Sequence, residues 1–263
     1  MINFQSSDDF LLKGDSQWGV SSNWYWQGCC CHWRVLGDAN CQPIVFLHGF
    51  GASSGHWRNN AEHFAKAGFC VYSLDLIGFG ASAQPGPSQI RKLDNRFWSK
   101  QLAAFLEEVV GANNPSKAVL IGNSLGSLVA ITAAVFRPDL VSALVTAPLP
   151  DPAFMQPRSF PVSRCLRRFT NCLVNLFCNL LPLEVIIPLI SRTILIKAAL
   201  QTAYTHSIKA DKELQKIVFK PARRRTAARA LRSMCFGMAI RPRAITAPNL
   251  LKRLASRVER IPI

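Results

Sequence analysis

The stretch AVLIGNSLGSLVAITAAV, residues 118–135, decides how the chain folds. Ala118 to Ile121 is a short apolar run of the kind that a strand buried on both faces requires. After it, Leu128, Ile131, Thr132 and Val135 fall at helical spacing. Between the two lies Gly122-Asn123-Ser124-Leu125-Gly126, a G-x-S-x-G pattern in a strand, turn and helix setting. A serine on so sharp a turn has strained backbone angles, and side chains two residues to either side would collide. Small residues at 122 and 126 relieve that crowding, and the hydroxyl of Ser124 emerges at a helix N-terminus, where developing negative charge is stabilised. Ser124 is thus the candidate nucleophile, with a purely structural turn as the alternative.

The same rhythm occurs twice upstream. Pro43 to Leu47 is an apolar strand ending in His48-Gly49-Phe50-Gly51, followed by a helix marked by Trp57, Ala61, Phe64 and Ala65 and stopped by Gly68. Cys70 to Leu74 is a strand ending in DLIGFGAS, residues 75–82, followed by a helix through Trp98, Leu102, Phe105, Leu106 and Val109. Trp24 to Leu36 reads as a β-hairpin around Gly28, and Val141 to Val145 as a further strand. Strands alternating with helices at this spacing predict an α/β fold, a mostly parallel sheet with helices on both faces. Its functional loops gather at the carboxyl ends of the strands. The Phe50 and Leu125 N–H groups then form a candidate oxyanion hole, in which one such donor is typically worth about 3 kcal/mol of barrier. His48 could act as a base, but a histidine opening this loop more often fixes its shape.

The second part of the chain has another character. Residues 1–150 carry ten Lys/Arg against ten Asp/Glu, whereas residues 151–263 carry 21 against five, so the whole net charge of +16 lies there. Val162, Leu166, Phe169, Leu173, Leu176, Phe177 and Leu180 make one helical stripe, and helical patterns recur over Leu183 to Tyr204, Asp211 to Phe219 and Ala222 to Met238. The expected organisation is a core over 1–150, a helical cap over 151–258, and the start of another core strand at 259–263. The apolar stretch Leu173 to Leu200 is broken by Asn175, Asn179, Pro182, Glu184, Pro188 and Arg192, which argues for buried helices over a membrane span. The N-terminal residues lack the pattern of a secretory signal, which points to a cytoplasmic protein.

Nine cysteines in a chain of this size read as reduced thiols. Successive residues of the Cys29-Cys30-Cys31-His32 run would point to alternate faces of a strand, so no metal site is expected, and no cofactor. Arg223, Arg224, Arg225, Arg229 and Arg232 crowd one predicted helix. A solvated face is the default for such a cluster; peripheral contact with an anionic membrane is the functional alternative. No motif for nucleic-acid recognition accompanies the charge.

Taken together, HGFGASSGHW (48–57), DLIGFGAS (75–82) and GNSLGS (122–127) resemble the α/β-hydrolase superfamily. They are similar in particular to the pheophytinase and chlorophyll dephytylase group of photosynthetic organisms, over roughly residues 22–150. The GNS elbow is shared with hydrolases of carbon–carbon bonds. The resemblance implies Ser124 as nucleophile, Phe50 and Leu125 as oxyanion donors, and Asp75 and Gly78 shaping a loop beside the site, with His48, Gly49, Gly122 and Gly126. Ser127 departs from the glycine usual after the elbow. The implied substrate is a hydrophobic small-molecule ester.

A serine needs a base, and the base an acid to orient it. In this superfamily both follow the elbow, the acid after the cap and the histidine later. Histidines stand at 32, 48, 56, 63 and 206, none at the expected place. Asp151 occupies an alternative acid position, against its reading as a loop cap. The expectation is a hydrolase with its last strands missing and its turnover lost; a non-catalytic binding or scaffold protein is the rival.

Overall fold

The computed structural model describes residues 18–111, 114–154, 172, 173, 176, 177, 179–190, 201, 208, 211–257 and 261–263. Its sheet is built from β1 (Val20–Trp26), β2 (Cys29–Leu36), β3 (Gln42–Leu47), β4 (Phe69–Leu74), β5 (Ala118–Gly122) and β6 (Val141–Thr146), in the order β1-β2-β4-β3-β5-β6. β1 and β2 form a hairpin whose turn residues Gln27 and Gly28 have φ of 48° and 72°, the positive pair that matches strand twist. β2 runs antiparallel to β4, and β4, β3, β5 and β6 are mutually parallel.

Strand alternation divides the apolar residues between two faces. Ile44 and Phe46 pack with Trp18, Trp57, Ala61 and Val71 on one side, while Val45 and Leu47 join Trp33, Tyr72, Leu74 and Leu120 on the other. Helix α1 (Arg58–Lys66) covers the first side through Ala61 and Phe64; α2 (Asn95–Phe105) and α3 (Leu125–Phe136) cover the second. Asp94 caps α2 by accepting the Phe97 N–H at 2.8 Å. Every residue of α3 from Gly126 to Val135 is buried, which explains why its sequence is apolar all round instead of striped. The architecture is the one read from the strand and helix rhythm.

After β6 the described elements are helical: α4 (Leu183–Ile190), α5 (Lys212–Ala222), α6 (Ala227–Ala239) and α7 (Ala247–Ala255). Most of the stripe from Val162 to Leu180, and Leu183 to Tyr204 beyond Ile190 except Gln201, lie outside the described residues. The helix expected from Ala222 to Met238 is corrected at its start: it begins at Ala227, and Ala222 is the last residue of α5. Pro221, which has no N–H to donate, sits in the last turn of α5, and a tight turn with Ala227 N–H on the Arg224 carbonyl precedes α6. The five arginines therefore do not share one helix. Arg224 donates to the Gly80 and Ser82 carbonyls, and Arg232 donates to Glu184 and to the Asn179 and Leu181 carbonyls.

The last helix departs from the expected cap. Ala247, Leu250 and Leu254 of α7 belong to the main core beside α3, and Arg257 donates to the Ala134 and Val135 carbonyls at the end of α3. At the outer strand, the Leu144 N–H donates to the Pro262 carbonyl, which places residues 261–263 along β6, while Val145 stays half exposed.

Helix α6 lies directly on the loop before α2. A Cβ on Gly237 would come within 2.1 Å of the Leu93 carbonyl oxygen, and the Leu93 N–H donates to the Ser233 carbonyl. Alanine favours a helix over glycine by about 1 kcal/mol. Forcing backbone apart costs typically 1–3 kcal/mol and sometimes more. Gly237→Ala is therefore expected to lower the midpoint of urea unfolding despite its helix propensity.

Candidate active site

Ser124 stands at the head of α3 with φ 54° and ψ −113°. Gln27 shares a positive φ, in its hairpin turn; Ser124 has no such turn to relax into. Backbone strain of this kind costs of order 1–3 kcal/mol and persists only where surroundings enforce it. Here the enforcement is backbone contact. A Cβ on Gly126 would lie 2.1 Å from the Leu47 carbonyl oxygen, and one on Gly122 would lie 2.5 Å from the Ser127 nitrogen. The Asn123 N–H donates to Leu47 and the Ser124 N–H to Pro148, so the turn is tied to the ends of β3 and β6. Ser127, the departure from glycine, is buried and donates its hydroxyl to the Gly122 carbonyl at 2.8 Å, closing the turn from within.

The loop after β3 runs against this turn. A side chain on Gly49 would meet Asn123 Oδ1 at 2.8 Å and Ser124 Cβ at 3.3 Å, and Gly51 needs a φ of 73°. Next to it Phe50 is largely exposed, its ring edge-on to Phe79 at 5.6 Å. The N–H groups of Phe50 and Leu125 donate to no described residue. His48 is fully buried: Nδ1 donates to the Gly49 carbonyl at 2.8 Å and Nε2 accepts the Leu76 N–H at 3.1 Å. Both ring nitrogens are thereby committed, which sets the tautomer and leaves neither for Ser124. Burial pushes its pKa down, against the partial opposition of the Asp75 charge.

Asp75 is the hub of the neighbouring loop. Its Oδ1 accepts the Ser54 N–H at 2.6 Å, and its Oδ2 accepts the Ala81 N–H at 2.8 Å and faces His32 Nδ1 at 3.2 Å. Ser82 joins from the other side, its hydroxyl donating to the Asp75 carbonyl and accepting the His32 N–H. Gly80 has φ 53°, and a side chain there would overlap the Asp75 carboxylate. Burial raises the Asp75 pKa, yet the His32 bond, the His32 and His48 charges and the Ser54 N–H together hold it below the ordinary carboxylate value. Ser54 and Ser82 sit inside the two recognised motifs, but the pairing of His32 with Asp75 across 43 residues has no local signature.

Asp151 is engaged elsewhere. Oδ1 accepts from Ala153 N–H and from Arg241, and Oδ2 accepts the Ala247 N–H at 2.8 Å, at the first residue of α7. Among the described residues no histidine bonds its carboxylate, which caps the loop and joins it to α7. His56 stands edge-on to Trp57 and burial lowers its pKa to about 4, His63 is exposed on α1, and His206 lies outside the described residues. Among the described residues, no side chain hydrogen-bonds the Ser124 hydroxyl.

These environments have opposite-sounding but parallel consequences in acid. His48 and His56 fold as neutral rings with depressed pKa values, so stability is complete above the free histidine value of about 6.5 and falls as pH drops toward about 4. Asp75 folds charged, so its share is present above about 3.9 and is lost below that. Thermal melts across this range should show both stages, with His48→Gln flattening the first. Asp151→Asn, which weakens a buried pair, should lower stability by about 3 kcal/mol or more and leave the chemical reactivity of Ser124 unchanged; reduced reactivity in a folded variant would restore the acid reading.

Comparison with known proteins places this geometry. Residues 42–161 match the family model described as alpha/beta hydrolase fold. The chain is 36% identical over 115 residues to a pimeloyl-[acyl-carrier protein] methyl ester esterase of Vibrio parahaemolyticus, covering 44% of this chain and 39% of that protein. It is 30% identical over 122 residues to epoxide hydrolase 4 of Mus musculus, covering 46% and 32%. Over 116 residues it is 31% identical to a 2-hydroxy-6-oxo-6-(2'-aminophenyl)hexa-2,4-dienoic acid hydrolase of Metapseudomonas resinovorans, covering 43% and 37%. The matched part thus spans about two fifths or less of these curated relatives. Among solved structures, the epoxide hydrolase CorEH superposes with a TM-score of 0.64 at 21% identity, covering 92% of this chain and 80% of that one. An alpha/beta hydrolase fold protein from Burkholderia ambifaria gives 0.63 at 21%, covering 89% and 75%. Sheet order, elbow and these matches agree: the chain has the α/β-hydrolase fold.

Proposed function

We propose that Ser124 is the nucleophile of a serine hydrolase that cleaves an ester or related acyl bond of a hydrophobic small molecule. The observation that carries this reading is the strained Ser124 at the head of α3, facing the loop of Gly49 and Phe50. In the proposed reaction the Ser124 oxygen attacks the acyl carbon, its proton passes to solvent water, and the carbonyl oxygen becomes an oxyanion held by the Phe50 and Leu125 N–H groups. The alcohol leaves, and water then releases the acyl group. Exposed Phe50, backed by buried Phe79, offers an apolar wall to such a substrate. The resemblance to the pheophytinase and chlorophyll dephytylase group, and a methyl ester esterase among the relatives, support an ester. The helices between β6 and α7 are the proposed cap that selects it.

A second reading, a binding protein that retains the cleft without turnover, is favoured by one observation: the Ser124 hydroxyl has no base beside it among the described residues. Without a base, an oxyanion hole and binding alone leave roughly 10³–10⁴-fold acceleration over water. We therefore expect residues 1–263 to hydrolyse p-nitrophenyl esters no faster than this. A fluorophosphonate probe should still modify Ser124 ahead of every other serine, with long-chain esters competing and Ser124→Ala abolishing the label. Absence of labelling at Ser124 in folded protein would favour the binding reading.

A further inference from the structure

Leu173, Leu176, Phe177, Leu180, Val185 and Leu189 are each between 49% and 71% exposed, and all fall within residues 172–189. Monomeric soluble proteins rarely gather so many large apolar side chains in one exposed stretch without a partner for them. The stretch is also held in place from behind. Arg232 of α6 binds the Glu184 carboxylate and the Asn179 and Leu181 carbonyls, and Leu183 is buried. Val185 and Leu189, four residues apart on α4, therefore stand on one side of a helix anchored to α6.

We propose that this surface docks on an anionic lipid bilayer, with the apolar side chains inserted to the level of the headgroups. Charge decides between lipid and a second copy of the chain. Arg229 is exposed and near enough to act on Glu184, whose carboxylate is already occupied by Arg232, and Arg225 is exposed in the turn that leads into α6. A two-fold interface pairs a patch with itself and would bring these cations face to face. An anionic bilayer supplies the opposite charge together with an apolar layer. Among the described residues no helix is long and apolar enough to cross a membrane. The source of binding differs from that suggested by the arginine run, because Arg224 and Arg232 are turned to the protein's own carbonyls. Apolar insertion leads and Arg225 and Arg229 assist. The proposal does not depend on the chemistry of Ser124.

Flotation with phosphatidylcholine vesicles, with and without phosphatidylglycerol, tests it using the whole chain. Wild-type protein should float with the mixed vesicles and remain partly bound in high salt, since apolar insertion is not screened. The variant Leu180→Asp/Val185→Asp/Leu189→Asp, altered only at exposed positions, should lose about tenfold or more in partition. Arg225→Gln/Arg229→Gln should lose roughly tenfold on mixed vesicles and nothing on pure phosphatidylcholine. Failure of the wild type to float on mixed vesicles overturns the proposal, as does equal binding by the triple aspartate variant. Sedimentation of the same samples supplies the rival outcome: if the aspartates convert a dimer to a monomer without affecting flotation, the surface belongs to a second copy. Ser124 labelling serves as an independent readout, so loss of membrane binding with labelling intact separates this proposal from the proposed reaction.

Discussion

The carbonyl oxygen of Leu47 occupies the place that any side chain at position 126 would need, and the architecture of the site follows from that contact. The first turn of α3 can rest on the end of β3 because Gly126 has no Cβ. The same carbonyl accepts the Asn123 N–H, so the residue before Ser124 is held to the neighbouring strand. With both flanks fixed, Ser124 has no room to relax from its positive φ. Its cost of order 1–3 kcal/mol is small beside the burial of ten consecutive residues of α3, which anchors the turn to the core. Strain at one residue is thus maintained by a well-packed helix.

Around this point the loops are joined by two buried polar side chains with different chemistry. His48 links its own loop to Leu76 as a neutral ring, and Asp75 gathers Ser54, Ala81 and His32 as a carboxylate. Each is shielded from water and each is satisfied, the condition under which buried polar groups give a single arrangement. The loops after β3 and β4, which lie beside the Ser124 turn, are thus tied to one another by hydrogen bonds to backbone, in addition to their packing.

Much of this was legible in the sequence, for a physical reason. Buried parallel strands such as Pro43 to Leu47 must be apolar throughout, and tight loops such as 48–51 and 122–126 must carry glycine, so both leave marks within a few residues. From its place His48 was expected to fix loop shape, with action as a base as the alternative. What escaped were relations between distant residues. His32 meets Asp75 across a hairpin, and Asp151 meets Ala247 across the helical region; neither pair has a spacing to recognise. The arginine run was misread for a similar reason. A local pattern shows that cations are adjacent in sequence, whereas α5 stops at Ala222, just after Pro221, and Arg224 is engaged by the carbonyls of Gly80 and Ser82. Likewise α7 resembles the helices before it in composition, and only its packing on α3 marks it as part of the core layer.

The outer strand has a consequence for how this molecule behaves in company. Among the described residues β6 is the outermost strand of the sheet, with Val145 half exposed and the Leu144 N–H donating to the Pro262 carbonyl. A margin of backbone so lightly covered is a template on which foreign strands can crystallise their hydrogen bonds. Crowding would thus favour pairing of neighbours in register along this border, at residues remote from Ser124.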